Sequence, residues 1–179
     1  MGLSMSGTTK DEVTVIDDFL GEQDFSVIEN IIMSDQFPWY YNSMILGGGN
    51  RGLDDYQFAH IFFIDFSPCS SLFGQIIAPI INTVKPSAVI RAKANLNVRT
   101  EKNIEHGFHV DTFNESRTGI LYINDCDGYT LFEKSGEKVY SKRNRFASFD
   151  SSLSHSSASQ TNSNVRVVIN INYHEAKRL

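Results

Sequence analysis

Two cysteines, Cys69 and Cys126, are too few and too far apart to form a disulfide framework or a zinc cluster. They read as reduced thiols, which points to a cytoplasmic protein. No apolar run approaches the roughly 18 residues of a membrane span, so no membrane partner is expected. The first residues, MGLSMSGTTKDE, lack the charged-then-apolar order of a secretory signal. Gly2 and Ser6 match a loose myristoylation pattern of the kind that short motifs meet by chance. No cluster of Lys and Arg interrupts a chain of net charge −5, which argues against a nucleic-acid partner. GGGNRG, residues 47–52, lacks the Gly-Lys-Ser/Thr ending of a phosphate loop and reads as a mobile loop. No internal repeat is present, and nothing in the pattern sets an oligomeric state.

What remains suits one domain over residues 1–179. A globule of this size buries roughly 70% of the surface its unfolded chain exposes, and 13 Phe and 7 Tyr are available to fill it. TVIDDFL (14–20) reads as a short strand entering a turn. From Gly21 a helix is expected, with Phe25, Ile28, Ile31 and Ile32 at helical spacing and Asp24 as N-cap. FPWYY (37–41) is an aromatic cluster, FAHIFFIDF (58–66) predicts a strand, and SSLFGQIIAPIINTV (70–84) predicts a helix interrupted at Pro79. Strands and turns follow from Pro86. Ile90, Ala92, Ala94, Leu96 and Val98 alternate with Arg91, Lys93, Asn95, Asn97 and Arg99, a polar face that reads in part as a cavity wall. Further strands are expected at 118–125, 129–133, 137–141, 145–150 and 164–173. The class is mainly β with flanking helices, an α+β arrangement. Residues 1–85 form a helical and strand flank, and 86–179 form a jelly-roll barrel with the N-terminal helices packed on its outside.

His109-Val110-Asp111 carries the chemistry. Side chains two residues apart on an extended segment point the same way. An imidazole from His155 completes two neutral nitrogens and one carboxylate on one face of a divalent metal, leaving positions open for reactants. Asp127 and Asp150 are rival carboxylates, and both read as turn residues. His155 lies in SSLSHSSASQ, a small, polar, non-core context. Arg166, in an alternating strand, offers a planar guanidinium that grips a carboxylate by paired hydrogen bonds. Tyr122 either adds a hydroxyl to that carboxylate or fills the core.

From Arg91 to Tyr173 the sequence resembles the Fe(II)/2-oxoglutarate-dependent dioxygenase superfamily, in its prolyl 4-hydroxylase-like branch. It is similar in texture to small oxygenases of that branch from marine viruses of cyanobacteria. RAKANLNVRT, HGFHVD, GILYINDCDGYTLFE, NRFASFDSSLSH and RVVININY carry the likeness, while the N-terminal half matches in layout, with FPWYY its best point. The resemblance implies a double-stranded β-helix, the cupin-like jelly roll, with His109, Asp111 and His155 as the catalytic iron ligands. It implies Arg166 as anchor of the 2-oxoglutarate C5 carboxylate, Tyr122 as its helper, and Thr130 and Leu131 as pocket lining. Asn95, Asn97 and Arg99 stand where many relatives carry a cosubstrate-contacting Tyr, which makes Asn97 the candidate cofactor contact on that strand. Arg91, Asn95, Trp39 and Tyr40 are candidate substrate contacts, and the loops 47–52 and 100–107 are candidate lids. The implied reaction consumes 2-oxoglutarate and O2, with ascorbate as an optional accessory, and releases succinate and CO2. A C–H bond is hydroxylated, in a prolyl or other side chain of a peptide or protein, or in a small molecule.

Asp111 is present, so the resemblance does not extend to halogenases, which lose this carboxylate. Asn172 stands six residues after Arg166, where a nucleic-acid demethylase would carry a second arginine. Two other readings stay open. A cupin-like barrel could hold metal or ligand without turnover, which the asparagines in place of tyrosine favour. A zinc hydrolase would need a general base; Glu105 is nearby but lies in a loop, and that reading leaves Arg166 without a role.

Overall fold

The computed structural model describes residues 12–45, 56–111 and 115–176. The elements in chain order are β1 (Thr14–Ile16), α1 (Glu22–Ile32), β2 (Tyr40–Asn42), β3 (Gln57–Ile64), β4 (Ser67–Pro68), α2 (Phe73–Val84), β5 (Ala88–Val98), β6 (Arg117–Tyr122), β7 (Tyr129–Phe132), β8 (Lys138–Tyr140), β9 (Arg145–Asp150), β10 (His155–Ser157) and β11 (Val165–His174). They build two antiparallel sheets. The larger runs β1-β9-β6-β11-β5-β3-β2, with β4 on the edge of β3, and the smaller runs β10-β7-β8. This is the expected jelly roll. Among the described residues no helix is long and apolar enough to cross a membrane.

Alternation within the strands assigns each side chain to one of two interiors. On β11, Val167, Ile169 and Ile171 join Ala92 and Ala94 of β5, Leu121 of β6, and the apolar stripes Phe25, Ile28, Ile32 of α1 and Ile76, Ile77, Ile80 of α2. Each fully buried Ile or Phe there contributes roughly 1.5–3 kcal/mol, which seals both helices to the outer face of the large sheet. The opposite face supplies Ile120, Tyr122, Ala147, Phe149 and Val168, which meet Phe132 and Val139 of the smaller sheet and fill the space between the sheets. Lys93, Asn95 and Asn97 of β5 and Arg166 and Asn170 of β11, also on this face, line a cavity.

Several local expectations are corrected. The first helix is capped at Gly21, not Asp24, because the Phe25 amide already bonds the Gly21 carbonyl at 3.0 Å. Asp24 instead sits with Glu22 in the first turn, where negative charge suits the helix dipole. The second helix runs unbroken through Pro79. Proline costs that helix one backbone hydrogen bond, and burial of Ile76, Ile77 and Ile80 outweighs the loss. The third strand ends at Ile64; Asp65 and Phe66 turn with φ of 52° and 59° into β4. SSLSHSSASQ is core rather than surface: His155, Ser156, Ala158, Ser159 and Gln160 are all buried. Long-range contacts hold it there, as where Gln160 Nε2 donates to the Asn97 carbonyl at 3.0 Å. The flank also does more than pack outside, since β1 closes one edge of the large sheet while β3 and β2 extend the other.

Candidate metal centre and cavity

His109 and His155 exchange both backbone hydrogen bonds, each 2.9 Å, in an isolated antiparallel bridge. That bridge, not a long strand, sets the imidazoles side by side with ring centroids 4.5 Å apart. The His155 Nδ1 faces the Leu153 carbonyl at 2.9 Å. A carbonyl only accepts, so Nδ1 carries the proton and Nε2 offers its lone pair to the site. Phe149 packs edge-on against His155 at 4.8 Å and against Phe132 at 4.8 Å, which fixes the ring plane.

Asp111 is held from three sides. Thr118 Oγ1 donates to its Oδ2 at 2.6 Å and Asn172 Nδ2 at 3.0 Å, while Arg91 Nη2 lies 3.4 Å from Oδ1. His109 Nε2 stands 4.0 Å from that Oδ1. One donor atom from each of His109, Asp111 and His155 falls within 4.8 Å of the others, and among the described residues no other group of three has this spacing. Burial is the largest influence on both titrating ligands. It pushes His109 down, helped by His155, which favours the neutral imidazole. It would push Asp111 up, but His155, the Thr118 and Asn172 donors, and Arg91 together hold the carboxyl below its usual range. Two imidazole nitrogens and one anionic oxygen are brought together, a donor set suited to a divalent transition metal.

A cavity of about 520 Å³, including its open mouth, lies beside these three residues. The pairing of β5 with β11 lays three rungs along its floor, Asn97 with Arg166, Asn95 with Val168 and Lys93 with Asn170, and the next rung, Arg91 with Asn172, lies beyond its lining. Arg166 sits at the closed end, only 1% exposed. Its Nη1 donates to Ser157 Oγ at 2.9 Å and its Nη2 to Thr130 Oγ1 at 3.3 Å. Its Nε is buried without a partner among the described residues, and no carboxylate of theirs pairs with the guanidinium. Burial pulls its pKa down. A buried guanidinium without a carboxylate partner is costly, and the open cavity in front of it is where an anion fits. Gly128 makes the route possible, because a Cβ there would lie 2.6 Å from Arg166 Cδ.

The predicted residues divide. His109, Asp111, His155, Arg166, Thr130, Asn97 and Asn95 meet around the one cavity. Tyr122 stands behind it: its hydroxyl donates to Thr130 Oγ1 at 2.8 Å and its ring centroid lies 5.5 Å from the Arg166 guanidinium. Arg91 is drawn to Asp111 and to Asn172 Oδ1, at 3.1 Å, because register sets it opposite Asn172. Trp39 packs on Phe37 at 4.7 Å on the helical side, Tyr40 is mostly exposed on β2, and Leu131 packs with Tyr129 and Ala158. None of these four lines the cavity. The segment 100–107 is pinned rather than free to act as a lid. Ile104 N and Asn103 Nδ2 both donate to Ser159 at 2.8 Å, and His106 N donates to the Ser157 carbonyl at 2.9 Å. The loop 47–52 lies outside the described residues.

Asp127 lies in a turn, as expected, and accepts from the Thr161 amide at 2.7 Å; Asp150 is instead the last residue of β9 and accepts from the Ser152 amide of the following turn at 2.9 Å. Sequence reasoning missed Thr118, Asn172, Lys93, Ser157 and Gly128. Asn172 and Lys93 were findable, since they share the polar faces that carry Arg166 and Asn97. Thr118 and Gly128 leave no periodic signal.

No family profile matches this sequence, and no curated protein is similar to it in sequence. Solved structures match in fold. An oxidoreductase of the 2OG-Fe(II) oxygenase family from Burkholderia pseudomallei superposes with a TM-score of 0.66 at 10% identity, over 92% of this chain and 86% of its own. A prolyl hydroxylase from Trichoplax adhaerens, in complex with a hypoxia-inducible-factor peptide fragment, gives 0.63 at 13% identity over 92% and 84%. The viral collagen prolyl hydroxylase of Paramecium Bursaria Chlorella virus-1, as its 2OG complex, gives 0.54 at 13% identity over 92% and 96%. The chain therefore has the fold of 2OG-Fe(II) oxygenases.

Proposed function

We propose that this protein is an Fe(II)- and 2-oxoglutarate-dependent dioxygenase that hydroxylates a C–H bond. The observation that carries the reading is the pairing of two features in one cavity: the His109–Asp111–His155 cluster and the buried, uncompensated Arg166. The donor set fits the metal, because His155 presents Nε2, His109 is held neutral by burial, and Asp111 remains ionised. Iron bound there with 2-oxoglutarate and O2 supplies the oxidation, one oxygen atom entering the substrate C–H bond and the other leaving in succinate, with CO2 released.

The chain's own residues do the rest. Arg166, with Thr130 and Ser157 beside it, grips the far carboxylate of the cosubstrate and fixes its direction along the cavity floor. Thr118, Asn172 and Arg91 lock the Asp111 carboxylate so that one oxygen stays turned toward the histidines. Ile120 and Val168 give the floor an apolar stretch that excludes water beside the reacting centre. The finer reading is a prolyl or other side chain of a peptide or protein as the acceptor, supported by the fold likeness to two prolyl hydroxylases. Asn172 and the net charge of −5 favour neither strand of a nucleic acid as substrate.

The test is O2-dependent succinate formation from 2-oxoglutarate by the iron-loaded protein, compared with His109→Ala. The expected result is formation in the wild type and none above background in the variant. Full turnover by the variant would remove the cluster from the chemistry.

A further inference from the structure

The third rung of the cavity floor, Lys93 with Asn170, has no part in holding metal or cosubstrate. We propose that Lys93, flanked by Asn95 and Asn170, reads a carboxylate on the substrate, close to the carbon that reacts. The inference rests on the oxygenase reading above and assigns the substrate class: an amino or hydroxy acid, free or carried by a peptide.

Lys93 lines the cavity, yet its ammonium has no hydrogen bond or ion pair among the described residues. Asp111, the nearby anion, is already engaged by Thr118, Asn172 and Arg91. Burial, with Arg91 beside it, brings the Lys93 pKa down to about 8 against the pull of Asp111. At neutral pH it is still mainly a cation, and an undercompensated one. A carboxylate in the cavity relieves that condition. Its flanks match an amino or hydroxy acid: Asn95 Oδ1 and Asn170 Oδ1 are buried side-chain acceptors with no partner among the described residues. A buried acceptor left unmet costs about 1–3 kcal/mol, so a ligand N–H or O–H beside the carboxylate is favoured at these two points. Arg166 and Lys93 occupy rungs separated by four residues along β5, roughly 13 Å at the usual strand rise. The two cations therefore mark opposite ends of one cavity, one for each organic reactant.

The test uses zinc-loaded protein saturated with 2-oxoglutarate, a redox-inert complex, and reads binding by calorimetry. The probes are free aspartate and glutamate, their 2-hydroxy acid counterparts, the same compounds with both carboxylates converted to amides, and proline-containing peptides with acidic or neutral flanks. The expected result is at least one acid that binds ten-fold or more tighter than its matched amide or neutral peptide. That preference is lost in Lys93→Met and kept within three-fold in Lys93→Arg, while both variants bind 2-oxoglutarate within two-fold of the wild type. Selective binding of free acids identifies a small-molecule substrate; selective binding of acidic peptides identifies a peptide. The proposal is overturned if no acid in either arm binds, if the amides bind equally well, or if Lys93→Met weakens 2-oxoglutarate and leaves the acids unaffected. The wild-type 2-oxoglutarate titration is read first. Its failure removes the oxygenase reading, whereas failure of the acid panel alone removes this one.

Discussion

Gly128→Ala is the sharpest probe of how the anchor is held. Gly128 does not take up a left-handed backbone, so an alanine there brings no conformational strain. The whole effect is steric. The new methyl would lie 2.6 Å from Arg166 Cδ, 3.1 Å from the Ala158 carbonyl oxygen and 3.3 Å from Arg166 Nε. The backbone oxygen belongs to the wall of the smaller sheet, so Arg166 is the group that yields. Overpacking of this kind costs about 1–3 kcal/mol. Arg166 then either keeps its place at that expense or turns away from Ser157 and Thr130. If Arg166 holds the cosubstrate as proposed, turning away forfeits a charge-assisted contact worth about 1.5–3 kcal/mol, which is roughly a ten- to hundred-fold rise in Kd. Calorimetric titration of 2-oxoglutarate into zinc-loaded Gly128→Ala measures this, with a thermal melt alongside. The account expects the weakened cosubstrate with metal affinity retained. Wild-type affinity together with a wild-type melt would show that Arg166 does not pass Gly128 as described.

Three other outcomes are expected. Thr118→Val keeps the shape but removes the 2.6 Å donor to Asp111, and metal affinity should fall roughly ten- to hundred-fold; an unchanged Fe(II) or Zn(II) isotherm contradicts this. Phe149→Ala opens a cavity between Phe132 and His155 and should cost about 3–5 kcal/mol in denaturant unfolding, and a loss under 1 kcal/mol refutes the packing. Acid should loosen the N-terminal flank. Arg143, with Ser26, holds Glu22 down to about 2, and Arg145 and Lys142 hold Asp17 well below the carboxylate range. Depressed carboxylates stabilise the fold fully above their unfolded pKa, roughly 4, and that contribution is lost as pH falls through the folded values. Fluorescence of the lone Trp39 should therefore begin to change below about pH 4 and continue toward 2; a flat response from pH 6 to 2 would count against the clamp.

The parts of this site that were legible in the sequence are those written in strand periodicity. β5 alternates so regularly that part of its polar face was readable as a cavity wall, which pointed to Asn95 and Asn97, while Arg166 stood out as a cation on the polar face of the alternating β11. The spacing in His109-Val110-Asp111 put both side chains on one side even though the segment forms only a bridge. His155 was found for its chemistry against its surroundings, since a serine-rich stretch reads as surface. Its burial depends on long-range partners, such as the Asn97 carbonyl, that local composition does not encode. Arg91 and Trp39 lie outside the cavity lining for a related reason. Their residue types suit a substrate site, but register opposite Asn172 turns one to Asp111, and contact with Phe37 turns the other to the helical side. Pro79 marks the limit of breaker rules, because packing of three isoleucines overrode a missing hydrogen bond.

The central claim is that one cavity holds a metal at His109, Asp111 and His155 and a dicarboxylate anchored by Arg166. Anaerobic titration of the Fe(II)-loaded protein with 2-oxoglutarate, followed by visible absorption, tests both halves together. The account predicts a weak charge-transfer band that saturates with 2-oxoglutarate and is absent from Arg166→Ala at matched concentrations. No band at saturating iron and 2-oxoglutarate, or an equal band in Arg166→Ala, would contradict it.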